Sequence, residues 1–194
     1  MNYKKMKNIL IILIILLIPV KSFGLIEVDI TRGNLNPLPI AVSPLSIDEE
    51  SRKNFENILK KKNIGSEISS IVENNLKVSG LFNPLNKDAF LQEPDIANLK
   101  PRFEDWNLIK AQALITGKVS YVEEKLRVEF RLWDVLAGKE MMALAFTTVP
   151  NNWRRVGHII TDKVYERLTG EKGYFDTRII SVSYTHLRAH ETLE

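Results

Sequence analysis

The chain has 194 residues, 44% of them hydrophobic, with 27 basic and 24 acidic side chains and a formal net charge of +3. It contains no cysteine, which excludes a disulfide framework, thiolate metal centres and cysteine nucleophiles. The positive surplus lies in the first 24 residues: without them the balance is 23 basic against 24 acidic residues, which lacks the electrostatic footprint of a nucleic-acid surface.

Lys4, Lys5 and Lys7 precede an unbroken apolar run over residues 9–17, followed by Ile18, Pro19 and Val20 and then by Ser22-Phe23-Gly24. A basic start, a short apolar stretch and small residues before a cut predict a secretory signal over residues 1–24. The run falls short of the about 20 residues that a membrane span needs. An uncleaved anchor is the competing reading, because the cut lacks an Ala-x-Ala pattern. A lipoprotein is excluded for want of a cysteine to acylate. The remaining residues suffice for one core, hence one domain.

Leu25, Ile26, Glu27, Val28, Asp29 and Ile30 alternate apolar and acidic side chains, the period of a half-buried strand, and Thr31-Arg32-Gly33-Asn34 breaks it. Leu38, Pro39, Ile40, Ala41 and Val42 predict a second, short strand, placed near an edge or a strand end by Pro39 and Pro44. Residues 46–63 are dominated by charge, with Phe55, Ile58 and Leu59 as the sizeable apolar side chains, and read as a solvated helix or a loop. Ile64, Ile68, Ile71, Val72 and Leu76 form a stripe at helical spacing that ends before Gly80. A short extended piece follows over residues 81–85, then a polar, proline-punctuated stretch, then a short helix carrying Trp106 and Ile109.

Ala113, Ile115, Gly117, Val119 and Tyr121 alternate with more polar neighbours, and so do Leu126, Val128, Phe130 and Leu132 with Arg127, Glu129, Arg131 and Trp133. Turns at Glu123-Glu124 and Gly138 make these, with residues 141–149, three antiparallel strands. Trp153, Val156, Ile160, Val164 and Leu168 then repeat at three to four residues until Gly170. The expected fold class is α/β, a mixed β-sheet with two main helices packed on one face, and the core is expected to join Ile68, Ile71, Val72, Leu76, Ile160, Val164 and Leu168 to Val119, Leu126, Val128, Phe130 and Leu132.

Catalytic arrangements are missing from the pattern. There is no Gly-rich phosphate loop, no His-Glu-x-x-His and no Gly-x-Ser-x-Gly, and three histidines are a thin supply of general bases. No enzyme activity, cofactor or metal is expected. His158 reads as a solvent-facing helix residue, and Asp176 with Arg178 as a surface ion pair. Arg154 and Arg155 stand in the first turn of a helix, where the macrodipole disfavours cations, so each either meets a carboxylate from another element or is simply solvated. His186 and His190 stand four apart with Glu191 beside them. A zinc site would need a further ligand and a supporting shell, so the spacing is read as accidental.

One ordered set of residues carries a family resemblance. Trp153-Arg154-Arg155-Val156-Gly157-His158, with Val164-Tyr165-Glu166-Arg167-Leu168-Thr169-Gly170-Glu171-Lys172-Gly173-Tyr174-Phe175-Asp176-Thr177-Arg178-Ile179, resembles the end of the N-terminal domain of the TolB family of the Tol-Pal system. Ile26-Glu27-Val28-Asp29-Ile30-Thr31-Arg32-Gly33 is similar to the start of mature family members. Pro39-Ile40-Ala41-Val42, Ser79-Gly80-Leu81-Phe82-Asn83-Pro84 and Ala113-Leu114-Ile115-Thr116-Gly117-Lys118-Val119 fall in the family's order. The resemblance covers about residues 25–180. It implies a monomeric, periplasmic, non-catalytic protein that links inner-membrane Tol proteins to the lipoprotein Pal and supports outer-membrane integrity and invagination at division. It also implies contact with TolA through Leu25, Ile26, Glu27, Val28, Asp29 and Ile30. The family's six-bladed propeller, at about 40 residues per blade, does not fit the 14 residues after Ile180. Residues 181–194 are accordingly expected to be a non-native tail where the propeller would begin. The alternative is a complete small secreted module whose solvent-facing sheet binds a ligand or cell-wall polymer.

Overall fold

The computed structural model describes residues 36–177. Its strands form one mixed sheet. β1 (Leu38–Val42) lies between β3 (Phe82–Pro84) and β4 (Ala113–Val122), parallel to both. β4, β5 (Lys125–Asp134) and β6 (Lys139–Thr148) continue the sheet as an antiparallel meander. The two-residue β2 (Ser46–Ile47) also pairs parallel with β4, at Lys118 and Val119, and extends the line of β1 after an interruption at Pro44.

Pro39 does not mark an edge as expected, for β1 has neighbours on both sides and β3 is the outer strand. The proline takes part in pairing through its carbonyl, which accepts the Gln112 N–H at 3.0 Å just before β4 begins. A missing N–H costs nothing where the neighbouring strand has not yet started.

Two long helices lie on one face. α2 (Ile64–Val78) buries Ile64, Ile68, Val72 and Leu76, and α5 (Trp153–Thr169) buries Trp153, Val156, Ile160, Val164 and Leu168. Both meet a sheet face made by Ile40, Val42, Ile115, Val119, Leu126, Val128, Phe130 and Leu132, with Ile71 half-buried at the margin. The helices cross closely because Gly157 has no side chain: a Cβ there would lie 2.9 Å from Ile71 Cγ2.

The charge-rich stretch after β2 is a helix, α1 (Glu49–Leu59). Asp48 caps it, Phe55 is its buried anchor against Tyr121 at 5.4 Å in an edge-on contact, and Ser51 Oγ accepts the Tyr121 N–H at 2.8 Å.

A second layer covers the opposite face at the parallel end of the sheet. There α3 (Pro94–Leu99) and α4 (Phe103–Leu108) pack Ala97 and Trp106 on Ala41, Leu114 and Val135. Gln92 organises this layer from a buried position: its Oε1 accepts from Trp106 Nε1 and the Arg102 N–H, both at 3.0 Å, and its Nε2 donates to the Lys100 carbonyl at 3.1 Å. The chain passes from β1 to β3 over one face and from β3 back to β4 over the other. Crossovers of one handedness demand that switch when the direction of travel reverses. The meander beyond β4 has no such crossover, and its outer face stays open.

Candidate partner-binding surface

Leu25, Ile26, Glu27, Val28, Asp29 and Ile30, the predicted partner segment, lie outside the described residues, as do the predicted signal and His186, His190 and Glu191. Among the described residues no group of three or more His, Cys, Asp or Glu side chains is placed to hold a metal ion. No described helix is long and apolar enough to cross a membrane.

The two arginines at the head of α5 have separate partners. Arg155 grips Asp176 with two nitrogens, Nε at 3.0 Å from Oδ1 and Nη2 at 3.0 Å from Oδ2, and that hydrogen bonding raises the guanidinium pKa further. Arg154 lies over the Trp153 ring at 4.5 Å from its centre, a cation–π contact that offsets the unfavourable helix terminus. Asp176 therefore belongs to Arg155, and its expected mate Arg178 is outside the described residues.

His158 does not face solvent as its helical position suggested. It is half-buried between α2 and α5, with Nδ1 2.9 Å from Asn75 Nδ2, which also donates to Thr161 Oγ1 at 3.2 Å. The helical wheel assumed one buried face, whereas α5 has two, one on the sheet and one at the Gly157 crossing.

Other shifted titrations have structural causes. Burial, then the neighbouring Tyr174 and Glu171, raise the Tyr165 phenol, and the exposed Lys163 and Glu166 pair stabilises the charged form of each partner. A shallow cleft of about 190 Å³ between Pro44, Lys87, Phe90 and Gln92 brings together no combination of nucleophile and base.

What remains open is the outer face of the meander. Lys118, Glu129 and Ala145 form one row across it, Thr116, Arg131 and Ala143 the next. Arg127 pairs with Glu129 at 2.7 Å and Arg131 with Glu140 at 3.3 Å, all four side chains roughly 40% exposed. At the β6 end, alanines replace long side chains and leave a hollow of about 220 Å³ between Arg127, Glu129, Arg131, Ala143 and Ala145. The signal was present in the sequence as Ala143-Leu144-Ala145, but only the register places those alanines beside the arginines.

Comparison with known proteins decides the family. The model of the TolB amino-terminal domain matches residues 26–141, more than half of the chain. The chain belongs to the TolB family. A Tol-Pal system protein TolB from Pelagibacter ubique (strain HTCC1062) is 81% identical over 171 residues, which is 88% of this chain and 38% of that protein. The chain thus spans well under half the length of this TolB relative. The crystal structure of TolB from Acinetobacter baumannii has the same fold, with a TM-score of 0.54 and 22% identity over 71% of this chain and 29% of that one. The mixed sheet with its two long helices is accordingly a TolB amino-terminal fold.

Proposed function

We propose that this chain is a non-catalytic periplasmic interaction module of the Tol-Pal system, with residues 25–30 as its contact for TolA. The observation that carries the reading is the 81% identity to a Tol-Pal system protein TolB across 88% of the chain. The alternating pattern of Leu25, Ile26, Glu27, Val28, Asp29 and Ile30 supports the contact itself, because it suits addition of a strand to a partner's sheet edge. Ile26, Val28 and Ile30 would anchor the apolar side, and Glu27 and Asp29 would steer by charge on the other. In the cell the module would help to link inner-membrane Tol proteins to the lipoprotein Pal, and so support outer-membrane integrity and invagination at division.

A peptide of residues 25–32 is expected to bind the C-terminal domain of the cognate TolA in titration calorimetry. The chain lacking those residues is expected to remain folded and lose the binding. Undiminished binding by the shortened chain would overturn the assignment.

A further inference from the structure

β6 is the last strand of the described sheet and is bonded to β5 alone. In antiparallel pairing every second residue turns its N–H and C=O away from its neighbour, so a row of backbone groups faces outward along the 10 residues of β6. Edge strands of this length are usually blunted by charge, proline or a bulge. Here Lys139, Glu140 and the irregularity opposite Leu132 and Trp133 protect only the start. Residues 141–148, Met-Met-Ala-Leu-Ala-Phe-Thr-Thr, carry neither charge nor proline.

The two sides of that edge differ. Met142, Leu144 and Phe146 line the helix side, opposite Leu132, Phe130 and Val128, and Leu144 is still 37% exposed. Ala143 and Ala145 line the outer side, where the hollow between Arg127 and Arg131 opens. A complementary strand would alternate apolar side chains with acidic ones. Residues 25–30 do so, with Ile26, Val28 and Ile30 against Glu27 and Asp29.

We propose that the edge of β6 is a docking site for this chain's own residues 25–30, which pair antiparallel to it. The apolar side chains extend the Met142, Leu144 and Phe146 row, and Glu27 and Asp29 reach over Ala143 and Ala145 to Arg127 and Arg131. The direction follows from reach. β1 and β6 run the same way, so Leu38 and Lys139 lie at one end of the sheet. A strand beyond β6 is four strand spacings from β1, about 19 Å at ~4.8 Å each. Residues 31–37 span at most about 23–25 Å when extended. That connection closes only if residue 30 arrives at the Lys139 end, which makes the added strand antiparallel to β6.

Docking would hold back the segment read above as the TolA contact, and a partner would have to displace it. The consequence for TolA rests on that reading, whereas the docking is tested without TolA. Because the chain has no cysteine, Asp29→Cys can be combined with Ala143→Cys or with Ala145→Cys, and with Lys53→Cys on the exposed side of α1 as a control. The processed chain, kept dilute, is oxidised gently and the intramolecular disulfide is followed by mass spectrometry. At least one of the two β6 combinations is expected to close ten-fold faster than the control, and Arg127→Glu with Arg131→Glu is expected to slow it. Closure no faster than the control in both combinations overturns the proposal. So does a disulfide formed between two molecules, which would give the edge to a second copy. Loss of TolA binding with rapid closure would count against the proposed function and leave the docking standing.

Discussion

Asp48 shows how one side chain decides whether a charged stretch becomes a helix. Its Oδ1 accepts the Ser51 N–H at 2.8 Å, and Glu49 and Glu50 fill the first turn, where the helix dipole favours acids. That hydrogen bond is the main cause that lowers the Asp48 pKa below its ordinary 3.8, with burial opposing it and Lys118 assisting from 3.5 Å. A depressed folded pKa means that the unfolded chain binds the proton more readily, so the contribution is complete above the ordinary value and is lost as pH falls through the folded one. Asp48→Ala is expected to lower unfolding stability by about 1 kcal/mol at neutral pH. The difference is expected to shrink once the pH drops below 3.8. Urea melts of both proteins across that range are the check, and a difference that stays constant with pH would show that the carboxylate charge is not what caps α1. The Asp-Glu-Glu-Ser pattern was in plain view at positions 48–51. Its meaning was masked by the lack of a full apolar stripe, because Phe55 alone carries the helix's large buried side chain.

At the scale of elements, long periodic stretches were legible and the sides of the sheet were not. The α2 and α5 stripes and the β4–β6 meander follow from spacing, since one repeat of 3.6 or of 2 presents one apolar face. Leu76 and Leu168 are both fully buried in the core between helices and sheet. Leu76→Ala and Leu168→Ala are each expected to cost about 2–5 kcal/mol. Denaturant melts that show either change to be silent would mean that the helix in question does not pack as described. The second layer was missed for an identifiable reason. Ile40-Ala41-Val42 and Ala113-Leu114-Ile115 are continuous apolar runs, the mark of strands covered on both faces. Alternation was read from every other residue, so Ala41 and Leu114 were passed over, and with them the platform for Trp106.

For the whole molecule, the candidate surface has a part that sequence could show and a part that it could not. The alternation of residues 25–30 is visible in the chain, whereas an unprotected edge exists only once β6 is known to be last in the sheet. The same holds at the far end of the described chain, where residues 173–176 fold back onto α5. Asp162 accepts the Phe175 N–H at 2.7 Å and the Asp176 N–H at 3.0 Å, and Arg155 holds the Asp176 side chain. Gly173 sits against Asp162 with no room for a side chain, and Tyr174 and Phe175 stack beside Tyr165. These contacts join backbone, charge and ring packing across 13 and 14 residues of sequence, which no local pattern announces. Their effect is to set the direction in which the chain leaves the domain, along α5 rather than freely into solvent. Asp162→Ala removes the acceptor of both amides without touching the core. Exchange at Phe175 and Asp176 is expected to quicken at least ten-fold, or about 1.4 kcal/mol of lost protection, while the amides of Val72 and Leu76 keep their rates. Hydrogen exchange read by NMR makes the comparison residue by residue. Unchanged protection at both positions would show that Arg155 and the aromatic rings hold the segment without Asp162.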